Sequence, residues 1–404
     1  MSTLGREGRL LFATRIVRLY AYGLVSVILV LYLAATGMSS LRIGLLLTLT
    51  LVGDTVISLA ITTNADRVGR KGMLLVGSAL MVFAGVLFAL TQDFVLLLVG
   101  ATVGVISPSG NEVGPFLALE QAGLSQIVSD QRRTAVFSWY NLAGSFATAL
   151  GSLSGGGLVQ VLGSRGAAPL ASYRVVVLFY AFLGVVLLVL FLRLGPTIEA
   201  ARGERSGAGR LGLHRSRRMV FKLSALFSLD AFAGALVVQS IVAYWFQIRF
   251  AVQPAVLGGI FFGANLLAGV SALSAARLAS RFGLINTMVF THIPSNVLTI
   301  LVPLMPTLPL AVGLLLLRFS ISQMDVPTRQ SFIMAAVAPD ERSAAAGVTG
   351  IARTTGASLS PVFTGPMLAN PLLLGLPFFL AGGLKIVYDL LLFRAFRRTE
   401  AHGP

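Results

Sequence analysis

The residues with chemistry to offer are a sparse set of ionisable and amide side chains inside long apolar runs. The run 94–121 carries Asn111, Glu112 and Glu120, the run 219–248 carries Asp230 and Gln239, and the run 308–336 carries Arg318, Gln323, Asp325 and Arg329. Asp54 lies in the run 43–64, and Arg353 in the run 344–368. A charge at the depth of hydrocarbon is costly, so each of these must face a partner or a water-filled path. A carboxylate held there can pick up and release a proton, which is the physical basis for coupling a cargo to a proton gradient.

Two stretches add a backbone feature. Ser107-Pro108-Ser109-Gly110-Asn111-Glu112-Val113-Gly114-Pro115 holds two prolines and two glycines, which break a helical ladder and free carbonyl groups. Asp325-Val326-Pro327 repeats the pattern in the run 308–336. An interrupted helix beside a buried carboxylate suits a substrate or ion site. Arg318 and Asp325 share a helix face but stand about 10 Å apart along the axis, too far to pair directly. Glu112, from the related segment, is expected to approach one of them. Glu120, Gln121 and Gln126 are expected to be solvated near a membrane surface. Lys385 and Asp389, four residues apart, are expected to pair with each other. Tyr244-Trp245, just before Arg249, is expected to anchor at the outer interface.

The elements that must position these groups follow from composition. The chain of 404 residues is 56% hydrophobic and only 11% charged, with mean hydropathy +0.86. Soluble proteins carry roughly 25% charged residues, so this is a membrane chain. Apolar runs long enough to span recur twelve times: 13–36, 43–64, 72–91, 94–121, 134–161, 173–195, 219–248, 255–278, 285–304, 308–336, 344–368 and 372–393. The first is too long for a signal-peptide core, so no cleaved leader is expected. The net charge of +16 falls in the connections, where topology and anionic lipid explain it better than nucleic acid. There is no cysteine, and His214, His292 and His402 are scattered, so neither metal nor thiol chemistry is expected.

With the N-terminus inside, the cytoplasmic ends receive Arg6, Arg9, Arg67, Arg70, Lys71, Arg132, Arg133, Arg281, Arg342, Arg397 and Arg398, besides the arginines of 202–218. The outer ends receive only Arg42, Arg165, Arg174 and Arg249. Both termini are therefore expected in the cytoplasm. An internal repeat supports two halves. The turn Ala65-Asp66-Arg67-Val68-Gly69-Arg70-Lys71 returns weakly at Ala279-Ser280-Arg281-Phe282-Gly283, 214 residues on. Asp130 and Asp340 stand 210 apart, Glu112 and Asp325 213 apart. The expected organisation is a six-helix bundle over 1–195, a polar linker over 196–218 and a second bundle over 219–404.

The span count, the central linker and the turn 65–71 resemble the major facilitator superfamily of secondary transporters. Its signature runs Gly-x-Leu-Ala-Asp-Arg-x-Gly-Arg-Lys. Ala65, Asp66, Arg67, Gly69, Arg70 and Lys71 match it, while Thr62 and Asn64 replace its first glycine and its leucine. The resemblance implies an all-α membrane fold of twelve transmembrane helices in two pseudo-symmetric bundles. It implies that Asp66, Arg67, Gly69, Arg70 and Lys71 form a conformational latch. It also places Glu112, Asn111, Asp230, Arg318, Gln323, Asp325 and Asp54 as substrate- or proton-binding candidates. The arginine that many proton-coupled members carry in span four is missing. Gly144, Gly151, Gly155, Gly156 and Gly157 in span five hint at antiport, although the proline of that signature is absent.

The expectation is a non-enzymatic secondary transporter of a small molecule, working by alternating access without a cofactor. It is expected to export its cargo against proton entry, as a monomer in a cell inner or plasma membrane. The competing readings are a proton-linked or facilitative importer and, more remotely, a lipid flippase or membrane enzyme.

Overall fold

A computed structural model describes residues 5–111, 114–128, 130–199, 214–338 and 341–396, with the side chains of 62–68, 130–135, 276 and 343 outside the description. Within those residues the chain forms sixteen α-helices: α1 (Arg6–Ala35), α2 (Ser40–Val68), α3 (Arg70–Leu90), α4 (Phe94–Val103), α5 (Phe116–Ile127), α6 (Asp130–Ser164), α7 (Pro169–Leu192), α8 (Arg217–Ala235), α9 (Gln239–Phe250), α10 (Pro254–Phe282), α11 (Leu284–Leu301), α12 (Leu308–Ile321), α13 (Asp325–Ala336), α14 (Arg342–Ser358), α15 (Pro361–Ala369) and α16 (Leu376–Phe396). Ten segments are long and apolar enough to cross a membrane, with α8–α9 and α12–α13 each counted as one. The other two expected spans are α4 with α5 and α14 with α15. The first is split at 104–115, where the prolines and glycines stand. The second carries the polar run Arg342–Ser358, which lowers its hydropathy.

Two compact units divide the chain: Met1–Glu204 with Gln239–Asn265, and Arg205–Val238 with Leu266–Pro404. The α9 hairpin thus groups with the first unit, whereas the sequence boundary falls wholly within 196–218. In the first unit α1 is the central helix. From Leu19 to Leu33 nearly every residue is buried, and α6, α7 and α9 pack around it. In the second unit α8 packs on α14 and α16, and α11 on α12, α13 and α16. Large apolar side chains such as Leu90, Phe182, Phe290 and Phe363 are exposed, as lipid-facing positions should be.

Gly151 and Gly155 of α6 serve close packing against α1. A Cβ on Gly151 would lie 2.0 Å from the Tyr20 carbonyl oxygen, and one on Gly155 2.3 Å from that of Leu24. Small residues let helix backbones approach this closely in lipid. Gly151→Leu should therefore destabilise by at least about 1–3 kcal/mol, because the obstacle is backbone. Gly157→Ala, whose Cβ would meet nothing within 4 Å, is the control. Thermal unfolding in detergent reads both, and equal midpoints would contradict this packing.

Candidate functional site

In the second unit, helices far apart in sequence bring their charges to one buried point. Asp230 of α8 is 3% exposed. Its carboxylate accepts hydrogen bonds from Lys385 Nζ of α16 at 2.6 Å, Arg329 Nη1 of α13 at 3.2 Å and Arg353 Nη1 of α14 at 3.4 Å. Arg329 also donates to Asp325, one turn earlier, at 2.9 Å. His292 of α11 stands between two acids, with Nδ1 2.9 Å from Asp389 Oδ1 and Nε2 4.0 Å from Asp230 Oδ1. Asn296 donates to the other Asp389 oxygen at 3.0 Å. An ionised carboxylate only accepts, so Nδ1 is assigned the proton that faces Asp389, and Nε2 is the nitrogen that faces Asp230. Buried charges persist when paired and hydrogen-bonded in this way.

The first unit holds a smaller, closed pair. Arg18 of α1 and Glu120 of α5 are both fully buried and meet through two parallel hydrogen bonds of 2.7 Å. Thr14 Oγ1 donates to the same carboxylate at 2.7 Å, and the Tyr140 hydroxyl of α6 donates as well. The Phe116 ring lies under the Arg18 guanidinium, 4.8 Å from it. The repeat links the two centres. Arg18 and Asp230 are 212 residues apart, Glu120 and Arg329 209, Tyr140 and Arg353 213, so the ion pair recurs with its signs exchanged.

Three expectations need correction. Glu120 is buried against Arg18 rather than solvated, because the break at 104–115 lets α5 run on to Ile127 and leaves Glu120 well inside it. Lys385 and Asp389 do not take each other: Lys385 reaches Asp230 across helices, and Asp389 is held by His292 and Asn296. Trp245 is 1% exposed, packed edge-on against Phe246 and Phe250, so it is core rather than an interfacial anchor.

Of the site candidates among the described residues, Asp230 and Asp325 come together, joined by Arg329. Arg318 lies in the last turn of α12 beside the Phe319 ring, its Nε buried without a hydrogen-bond partner among the described residues. The Gln323 backbone N–H donates to Ser271 Oγ at 3.4 Å. Asp54 in the first unit hydrogen-bonds to the Gly114 N–H, pinning the broken segment. Asn111 is exposed, its carbonyl bonded by Ser107 Oγ at 2.8 Å. Glu112 lies outside the described residues. The sequence reading missed Arg18, His292 and Asn296. The offset of 209–213 residues, applied to Asp230 and Arg329, points to Arg18 and Glu120.

The turn 65–71 is held from a direction the sequence did not suggest. Gly69, at φ +102°, begins α3. The Glu199 carboxylate accepts the Arg70 N–H at 2.7 Å and the Lys71 N–H at 3.2 Å, an anion at a helix N-terminus. Lys71 Nζ donates to the Leu192 and Leu194 carbonyls at 2.8 and 2.7 Å, closing the exit of α7. The side chains of Asp66 and Arg67 lie outside the description. Gly283, at φ +85°, begins α11 at the repeat position.

The second unit has a parallel clamp. Glu341, just before α14, accepts the N–H groups of Arg215 at 2.7 Å and Ser216 at 2.8 Å, and that of His214, at the start of α8. Burial alone would push this carboxyl up, but hydrogen bonds from the Ser216 hydroxyl and from the three N–H groups outweigh it and hold the pKa near 2. A depressed carboxyl contributes stability that is full above its ordinary value of 4.5 and is lost as pH falls toward 2. Glu341→Gln should therefore raise amide hydrogen exchange at 214–216 at neutral pH. The wild type should show the same rise only on acidification below about pH 4. Equal exchange in both proteins at pH 7 would contradict the clamp.

A family model described as Major Facilitator Superfamily matches residues 11–361. An uncharacterized membrane protein of Saccharomyces cerevisiae is 31% identical over 427 aligned residues, covering 98% of this chain and 95% of the relative. Among solved structures, a mutant of the nucleoside transporter NupG matches with TM-score 0.77 at 16% identity, over 97% of this chain and 100% of that one. The partially occluded, inward-open xylose transporter XylE from E. coli matches with TM-score 0.74 at 13% identity, over 96% and 97%. A bacterial homolog of the human lysosomal transporter Spinster matches with TM-score 0.73 at 15% identity, over 96% of each. The chain is a multi-pass membrane transporter of the Major Facilitator Superfamily.

Proposed function

We propose that this transporter moves a small molecule by alternating access and couples it to protons through the centre around Asp230. The observation that carries this reading is His292 bridging two carboxylates on different helices. Imidazole is the side chain whose charge changes nearest neutral pH. A proton arriving at Nε2 turns an acceptor into a donor aimed at Asp230, 4.0 Å away. That competes with Lys385, Arg329 and Arg353 for the same carboxylate and alters how four helices are tied. His292 faces Asp230 of α8 and Asp389 and Tyr388 of α16, and Lys385 of α16, Arg329 of α13 and Arg353 of α14 stand on the far partner, Asp230. The cation distribution supports an orientation with both termini and the turn 65–71 in the cytoplasm.

Export against proton entry, the direction expected from the sequence, requires cargo and proton to compete for one set of groups. A second reading, cargo and proton moving together, is favoured by the crowd of cations on Asp230. Protonating His292 makes that centre more positive and a negative cargo more welcome.

Proteoliposomes exposed to a metabolite extract under imposed pH gradients test both, with mass spectrometry reading the lumen. Exchange accumulates the cargo in the acidic compartment, and co-transport in the alkaline one. Accumulation in neither, with passive equilibration, would sink proton coupling.

A further inference from the structure

We infer that the cargo is an organic anion, and that Arg353 is the group that receives its carboxylate or phosphate oxygens. This rests on reading the Asp230 centre as the transport site. Three permanent cations, Lys385, Arg329 and Arg353, converge on Asp230, and Arg329 also bonds Asp325. The third acid, Asp389, is occupied by His292 and Asn296. Counting Asp230, Asp325 and Asp389, three cations meet three carboxylates, so a proton on His292 leaves the centre one positive charge in excess.

The three cations are not equally engaged. Lys385 and Arg329 have side chains 11% and 6% exposed, with contacts of 2.6 to 3.2 Å. Arg353 has the longest contact, 3.4 Å, and a side chain 32% exposed. Among the described residues it donates one hydrogen bond, to Asp230, from a guanidinium with five N–H donors. The open donors form a planar fork, the shape that grips a carboxylate or phosphate through two parallel bonds. The Arg18 guanidinium is the contrast: it faces a carboxylate squarely, and both partners are fully buried.

Depth argues for a diffusible cargo over a lipid headgroup. Arg353 lies eleven residues into α14, about 16 Å from its start at 1.5 Å per residue. The hydrocarbon half-thickness is about 15 Å, so Arg353 stands near the midplane. A guanidinium with open donors at that depth faces water, since lipid would exact a large penalty. An oxyanion arriving along that water takes the donors that Asp230 leaves open on Arg353.

The test is ligand-induced thermal stabilisation of the purified full-length transporter in detergent, without any gradient and at constant ionic strength. The probes are matched sets of a carboxylate, its amide and its amine, from acetate to benzoate, with glycerol 3-phosphate against glycerol. At least one anion should raise the unfolding midpoint while its amide and amine do not. Arg353→Gln should weaken the apparent affinity at least about tenfold, the expected effect of removing one partner of a buried charged contact. Arg353→Lys keeps the charge without the fork, so it should keep the preference for anions at reduced affinity. It also serves as the reading if the glutamine variant does not fold.

Carboxylate and phosphate probes identify which oxyanion is held, and nanodiscs of phosphatidylcholine against phosphatidylglycerol separate a soluble ligand from a headgroup. The proposal is overturned if amides or amines stabilise as well as anions, or if no probe stabilises. It is also overturned if Arg318→Gln, rather than Arg353→Gln, removes the response, or if phosphatidylglycerol alone saturates it. Gradient-dependent accumulation of a neutral or cationic metabolite would leave proton coupling standing while excluding the anion. Anion binding without gradient response would do the reverse.

Discussion

Asp230→Asn should abolish gradient-driven accumulation in proteoliposomes and lower the unfolding midpoint. The carboxylate is the shared partner of Lys385, Arg329 and Arg353, with His292 at 4.0 Å. An amide removes the charge and offers two donors to groups that are themselves donors. Breaking a buried ion pair by removing one partner costs about 3–5 kcal/mol, because the other charge is left uncompensated. Here three cations lose a partner at once, while Arg329 retains one in Asp325. His292→Asn is the milder companion. It leaves the three cations on Asp230 and Asn296 on Asp389 while removing the imidazole, so it should fold and equilibrate cargo passively while losing its response to a pH gradient. If Asp230→Asn accumulates cargo as the wild type does, the centre is scaffolding.

The second large effect lies in the first unit and is one of stability. Glu120→Gln or Arg18→Met each strands a fully buried charge and should cost about 3–5 kcal/mol. The double variant Arg18→Met/Glu120→Leu replaces the pair with apolar groups and should recover most of that loss. A double-mutant cycle in thermal unfolding gives the coupling. The double variant should also retain gradient-dependent accumulation, because the pair is closed to solvent and offers no open donor. Additive losses in the cycle would mean that Arg18 and Glu120 act separately. Loss of gradient response in a well-folded double variant would move the working site into the first unit.

The architecture was legible in the sequence because hydropathy and the cost of unpaired backbone in lipid leave few options. The run 308–336 is reproduced by α12 and α13 together, and the break foreseen from Pro108, Gly110, Gly114 and Pro115 falls between Val103 and Phe116. The partners were much less legible. Lys385 and Asp389 satisfy the helical i,i+4 rule on paper, yet their side chains reach α8 and α11. Such cross-helix pairings depend on helix rotation, which a single run of apolar residues does not encode. His292 was hidden for the same reason: its meaning lies in Asp230 and Asp389, 62 and 97 residues away. Arg18 was obscured by the length of the apolar run around it, although the repeat offset from Asp230 marks it. The glycines of α6 illustrate the converse. Their composition suggested a transport signature, while Gly151 and Gly155 are accounted for by the approach of α1.

The central claim is that the charge cluster around Asp230 joins proton movement to cargo movement. Its most direct test is accumulation from a metabolite extract into proteoliposomes under opposite pH gradients, with wild type and His292→Asn compared side by side and a proton ionophore as control. Gradient-dependent accumulation by the wild type, collapsed by the ionophore and replaced in the variant by gradient-independent equilibration of the same compound, is the predicted result. Identical, gradient-dependent accumulation by both proteins would contradict it.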